Sequence, residues 1–582
     1  MDRNETVVDD LVDVISTDIL IIGGGIAGLV AAIKAKEEFP GVDVLIVEKQ
    51  TTGWSGKAPK INGGYFALGP GEEPDKLIEY HVRNMGIYLN DQDMLYQYLP
   101  ESLDVAEQLM AWGAKFVTDD RGKLAIRKRA GGLYSSLGLD IDVLLPLRAK
   151  ARKMGTKILD KVHVVELLKK DDRVVGAAGF NIVDGRFYIF KAKATILANG
   201  GCGYNFRRLW ASGSGDGIDA AYRAGAEMRN AEFGNSYVHI IFRDTDETVR
   251  NREGGTYENL YNALDEPLSQ RYEMGRGIQV SAATVLGLEK EVREGKGPIY
   301  IDNSDQPPAQ LYASLPKLVE WKRRLASKIL KYAPPGARLA AQPVLPEISY
   351  AEAKRLEVTL YLHAELTPVK VDQNMKTTLT GLWALGDCSY AGSAALGAYP
   401  APHGGIAGGI AYAAWGAVRA GPDAVGFIAE APESQVDDAE VKRLKGDIFA
   451  PLRRENGLMP VDVIYAVQDV ICPIKYNLRR SKDRLEEALS RLKAVQDRLP
   501  DLWAKDTHYL GKCHEAKSMA VCAEMTLRSA LMRTESRGWH FREDYPEQDD
   551  KNWLKWVIVK REDGKMVVST EPIPIDKYRF KP

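Results

Sequence analysis

Gly23-x-Gly25-x-x-Gly28 stands between an apolar β-rich run, Ile19 to Ile22, and a helix-forming run that begins at Ala27. Glycines at this spacing allow a tight turn and let a pyrophosphate approach a helix N-terminus, whose free N–H groups and dipole favour anions. The run "VDVLIVEK" follows as a second parallel strand and ends in Glu48, twenty residues after Gly28. At that distance a carboxylate can accept from ribose hydroxyls. A Gly-rich turn alone says little. Strand, turn, helix, strand and acid together predict a dinucleotide-binding α/β unit.

A chain of 582 residues exceeds one hydrophobic core and predicts several domains. A net charge of −2 gives no basic field, so nucleic acid is not an expected partner. The five cysteines, Cys202, Cys388, Cys472, Cys513 and Cys522, form no C-x-x-C pair, so no metal or iron–sulfur site of the chain's own is expected. The same sparse usage predicts a reducing, cytoplasmic setting. The acidic N-terminus lacks the apolar core of a secretory signal. Ile19–Ala35 is split by "GGG" and Ile406–Val418 is too short to span, so no integral membrane segment is expected.

Downstream, "TTLTGLWALGDCSYAG" reads as a short strand ending in Gly386 and Asp387, before the small-residue helix "GGIAGGIAYAAWGA". This resembles the second flavin motif of FAD oxidoreductases, in which the aspartate binds the ribitol. "ATILANGGCG", with Asn199 and Gly200, fits the strand that returns beside the cofactor.

With these motifs the chain resembles the flavoprotein subunits of succinate dehydrogenase, fumarate reductase and adenylylsulfate reductase. "GSGDGIDAAYRAGAEMRNAEF", "EKEVREGKGPIYID" and the long "RTESRGWHFREDYPEQDDKNW" carry the likeness. "LIEYHVRNMGIYLNDQDML" and the Trp-rich finish lean toward the adenylylsulfate reductase branch. The resemblance implies a Rossmann-like FAD-binding domain at 1–235 and 365–430. It further implies an inserted α+β capping domain at 236–364, a helical domain at 431–535 and a tail at 536–582 that packs on the flavin domain. Within the insert a helical run is expected from Leu311 to Tyr332. Apolar spacing puts Leu485, Leu489 and Leu492 on one face of a helix in the third domain.

The resemblance assigns FAD to Gly23, Gly25, Gly28, Glu48, Lys49, Asn199, Gly200, Asp216, Gly386 and Asp387. It also assigns the loop "WSGKAPKINGGYFAL", through Ser55, Gly56, Gly63 and Gly64. In succinate dehydrogenases this loop bears a histidine bonded to FAD. Here that position falls at about Gly56, and no histidine precedes His81, so FAD is expected to be non-covalent.

The substrate arginines of the fumarate and succinate enzymes transfer poorly. One falls near Ser281, with Arg276 the closest basic residue, and "GSAALGAYPAPHGG" (Gly392 to Gly405) has no arginine where the family has one. Planar carboxylate recognition depends on such forks, so a plain C4 dicarboxylate is not the expected substrate. Tyr237, His239, His363 and His403 remain, with Arg276, as candidate catalytic residues. Trp54, Tyr65, Tyr237 and Tyr399 either line a pocket for a larger molecule or pack the interior. The expected activity is hydride transfer between flavin and an organic acid. The alternatives are the α subunit of an adenylylsulfate-type reductase and an electron-transfer subunit with a vestigial substrate site. For each, an iron–sulfur subunit is the implied partner.

Overall fold

The computed structural model describes residues 12–59, 64–129, 132–140, 142–204, 213–234, 238–242, 259–272, 278–302, 355–362, 365–389 and 409–582. By their contacts they divide into two compact units, Met1–Tyr237 with Leu362–Pro582, and Val238–Tyr361.

The first unit is built on strands β1 (Val12–Ile22), β2 (Val44–Glu48), β3 (Lys157–Asp160), β4 (Val162–Lys170), β5 (Arg173–Asn181) and β6 (Phe187–Leu197). They lie in the order β3-β2-β1-β6-β5-β4, and a seventh strand, Leu382–Ala384, joins β6. Pairing is parallel from β3 through β2 and β1 to β6, and between β6 and Leu382–Ala384. The β4–β5 and β5–β6 pairs are antiparallel. β6 pairs with β1 along one edge and is long enough to take two strands along the other: Phe187 to Lys191 face β5, while Thr195 to Leu197 face the seventh strand.

Four helices frame the sheet: α1 (Ile26–Glu38), α2 (Asp216–Ala224), α3 (Gly409–Ile428) and α4 (Thr507–Met532). α1 is buried without a break from Ile26 to Ile33, the signature of a helix covered on more than one side. It packs on the sheet and on α3. Small residues set the α1–α3 distance: a Cβ on Gly421 of α3 would stand 2.8 Å from the Ala31 carbonyl oxygen. Among the described residues, no helix is long and apolar enough to cross a membrane.

Helices Pro460–Ile471 and Lys482–Gln496 pack on α4. The Ser481 hydroxyl caps the second of them by accepting from the Arg484 N–H. Its buried face is Leu485, Ala488 and Leu492. Leu489, expected on that face, is half-buried, because the contact stripe runs through Ala488 instead. The chain then closes with a hairpin, Lys555–Glu562 and Lys565–Pro572, whose first strand pairs with Met228–Arg229. Trp556 donates to the Leu89 carbonyl at 2.7 Å and lies under the Arg229 guanidinium.

Between α4 and this hairpin the chain buries a knot of charge. Arg533 donates to Glu232 at 2.7 Å and to Glu535 at 2.8 Å, and Arg537 takes both oxygens of Glu535. Arg480 donates to the Glu232 carbonyl, and its guanidinium lies 2.6 Å from His540 Nδ1.

The second unit holds a four-stranded sheet in the order Val238–Phe242, Arg355–Leu362, Ile299–Asp302, Leu260–Tyr261. Helix Ile278–Glu291 belongs to this unit, and Leu260, Leu268, Leu288, Ile299 and Val358 form its core. The helical run expected at Leu311–Tyr332 lies outside the described residues.

Candidate functional site

The turn after β1 is held by contacts that admit only glycine. Gly23 has φ +115°, and a Cβ there would run into the Ala198 carbonyl at the end of β6. A Cβ on Gly28 would strike the carbonyl of Gly23, so the helix packs directly on the turn. Gly25 is the opposite case. A Cβ placed there would meet no described atom within 4 Å, and Gly25 is the N-cap of α1, with no side-chain cap and no acid in the first turn. Among the described residues this leaves an uncapped helix N-terminus with nothing in front of it, which suits a pyrophosphate. Asn199, just beyond β6, adds a buried Oδ1 with no hydrogen-bond partner among the described residues, and Gly200 follows it with φ +79°. An orphaned buried acceptor needs a partner, and a bound dinucleotide offers hydroxyl donors. The site fits the group that the sequence implies.

Glu48 closes the turn from the next strand. Its Oε2 accepts from the Gly24 N–H at 2.7 Å and its Oε1 from the Gln50 N–H at 2.8 Å. The adjacent Lys49 is drawn into a polar cluster, donating to Ser214 (3.0 Å), Asp216 (2.6 Å) and Glu515 of α4 (2.8 Å). Burial alone would lower the Lys49 pKa, but Asp216 and Glu515 outweigh it and the ammonium is held above its ordinary value. Burial likewise opposes ionisation of Asp216, yet Lys49 and then His163 hold its carboxyl well below the usual range. His163 Nε2 stands 3.5 Å from Asp216. Lys49 and Asp216, both assigned to the cofactor by resemblance, are thus paired with each other at the edge of the turn.

The loop that follows β2 folds back over this turn. Gly53 N–H donates to the Gly24 carbonyl at 3.1 Å, and Thr52 is tied to Asp160 of β3. Ser55 donates to the Thr51 carbonyl, and Gly56 has φ +84°, with the α-carbon of Gly25 3.7 Å from where a Cβ on it would stand. Lys57 then reaches Asp387 at 2.6 Å and touches Glu365. Gly386 and Asp387 form a single helical turn beyond Leu382–Ala384, on the same edge of the sheet. Gly64 begins a short strand, Gly64–Ala67, and Tyr65 behind it is fully buried, its hydroxyl donating to the Ser102 carbonyl at 2.8 Å. Tyr65 is a packing residue, edge-on to Phe116.

Most of the candidate catalytic residues lie outside the described residues. They are Tyr237, Arg276, His363 and His403, and Gly63 and Tyr399 join them there. His239 is described only as backbone on the strand Val238–Phe242. Sequence reasoning misses Lys57, His163, Glu365 and Glu515. A lysine within a small-residue loop is the one local signal. Glu515 has none, since 466 positions separate it from Lys49.

Comparison with known proteins agrees with this geometry. Residues 18–406 match the FAD binding domain family, and residues 473–582 match the fumarate reductase flavoprotein C-terminal family. The chain is 26% identical over 570 residues to one chain of the fumarate reductase (CoM/CoB) of Methanothermobacter marburgensis, covering 94% of this chain and 97% of that one. It is 27% identical over 600 residues to the fumarate reductase flavoprotein subunit of Mycobacterium tuberculosis, covering 96% and 98%. In fold it is similar to E. coli quinol fumarate reductase, with a TM-score of 0.80 at 21% identity over 97% of this chain and 98% of that one. It is also similar in fold to an adenosine-5-phosphosulfate reductase in complex with sulfite, with a TM-score of 0.74 at 21% identity over 98% of each. The chain belongs to the FAD-dependent oxidoreductase family of the fumarate reductase and succinate dehydrogenase flavoproteins.

Proposed function

We propose that this flavoprotein reduces an activated carbon–carbon double bond of an organic acid bulkier than fumarate, with electrons delivered by an iron–sulfur partner. The observation that carries the reading is the stretch Gly392 to Gly405, which contains no arginine. A second carboxylate there would lose its bidentate partner. Relatives named as fumarate reductase subunits support the redox class and the expectation of a partner chain. FAD, held without a covalent bond because the loop lacks a histidine, supplies the two-electron chemistry. His403 is assigned the proton donated to the substrate, with His363, Arg276, His239 and Tyr237 as the remaining candidates.

Turnover with a viologen donor tests this. Larger 2-enoates should be reduced, whereas fumarate reduction or succinate oxidation near the typical ~10 per second would overturn the reading. His403→Ala should lower turnover by about 10²–10⁴-fold while the flavin spectrum stays intact. Unchanged turnover with bound FAD would remove His403 from the reaction. Acid precipitation should release the yellow colour to the supernatant, and flavin fluorescence remaining with the denatured chain would refute the non-covalent assignment.

A second reading is favoured by Leu77 to Leu95 and the Trp-rich tail, which lean toward adenylylsulfate reductases. Sulfite that bleaches the oxidised flavin, together with AMP-dependent activity, would select it.

A further inference from the structure

Lys57 follows directly the loop position at which a histidine tether would stand, and the structure gives its charge a place. Its Nζ lies 2.6 Å from Asp387 Oδ2 and in contact with Glu365 Oε2. The three side chains are only 14%, 12% and 5% exposed. Glu365 Oε1 is buried and has no hydrogen-bond partner among the described residues. Each residue comes from a different segment. Lys57 follows β2, Asp387 follows Leu382–Ala384, and Glu365 pairs with Cys202–Gly203 just beyond β6. All three therefore sit beyond carboxyl ends of parallel strands, where open α/β sheets take their ligands.

One ammonium against two carboxylates leaves the cluster with a net charge of −1. Little water screens it, so its field is felt by whatever binds beside it. We propose that Lys57, Glu365 and Asp387 form a charged clasp that ties the flavin loop to the second flavin motif and keeps the two-electron potential of bound FAD low. This rests on FAD binding along that edge. Taking up two electrons and one proton leaves the flavin ring anionic at neutral pH, and a net negative neighbour disfavours that form over the neutral oxidised one. Lys57 limits the effect and holds Asp387, so that its second oxygen is free for the ribityl chain. A low potential suits an enzyme that passes electrons on to its substrate.

The test uses the full chain loaded with FAD, as wild type and as Glu365→Gln, Lys57→Met and Lys57→Arg. Dye-equilibrated reductive titration reads the midpoint potential, and quenching of flavin fluorescence reads the FAD dissociation constant. Glu365→Gln, close in shape and uncharged, should raise the potential by about 30 mV, a tenfold change in the two-electron equilibrium. Lys57→Met should lower the potential and weaken FAD at least tenfold, and Lys57→Arg should restore both. A Glu365→Gln potential equal to or below the wild type would overturn the proposal, as would a Lys57→Met potential equal to it. If Lys57→Met fails to fold, Glu365→Gln decides. A wild type that takes up no FAD would overturn the cofactor reading itself, and the clasp with it.

Discussion

The carboxylate of Glu48 serves the backbone before it serves any ligand. Both of its oxygens accept main-chain N–H groups, from Gly24 and Gln50, yet each oxygen keeps a second lone pair. Spacing alone assigns it to ribose. The structure adds that it also fixes the turn on which the pyrophosphate would rest. Glu48→Ala should therefore remove a charge-assisted bond worth about 1.5–3 kcal/mol and leave the Gly24 N–H without its acceptor. The FAD dissociation constant should rise by about tenfold to a hundredfold, read by fluorescence quenching. A change below twofold would mean that the ribose finds its partner elsewhere. Gly23→Ala is harsher, because the new methyl has both the wrong φ and the Ala198 carbonyl in its way. That variant should purify without FAD.

Among the elements, those around the candidate nucleotide site were legible because their signals are local. β1, α1, β2, β6 and Leu382–Ala384 are each announced by an apolar run closing on glycine or an acid. The charged knot was legible only as an unusual string, Arg533 to Trp553, and nothing local named its partner outside that string. Glu232, which Arg533 grips, stands 301 positions away. The knot's electrostatics follow from burial: Arg480 is pushed down to about 9, chiefly by desolvation, and Glu232 is pushed up by the same cause. Such a pair is costly to break from one side. Glu535→Gln removes the counter-charge that Arg533 and Arg537 share, leaving Glu232 to the one and Asp550 to the other, and should destabilise the protein by about 3–5 kcal/mol. The exposed pair Arg443–Asp447 is the control, and Arg443→Gln should change stability by less than about 0.5 kcal/mol. Thermal midpoints compare the two, and equal midpoints would show the knot to be dispensable. The same locality limits the catalytic assignments, because Tyr237, Arg276, His363 and His403 rest on register with a family and on no contact pattern of their own.

At the scale of the whole molecule, three buried histidines make stability depend on pH. Burial lowers the pKa of His81 to about 4, and holds His514 and His540 well below the ordinary range, with Lys517 adding at His514 and Arg480 at His540. His81 is the simplest, since both ring nitrogens are buried with no hydrogen-bond partner among the described residues. The unfolded chain takes up its proton at about 6.5, the folded chain only near 4. Between those values the unfolded state binds more protons, so the stability present above pH 6.5 is lost as pH falls toward 4. At pH 5 the His81 share of that loss is about 2 kcal/mol. His81→Phe replaces the ring with one that cannot take a proton, and should flatten the fall in thermal midpoint between pH 7 and pH 5 by this contribution. His514 and His540 would keep part of the slope. An unchanged slope in His81→Phe would mean that His81 takes up its proton as readily in the fold as in the unfolded chain, and that the acid limb belongs to other groups.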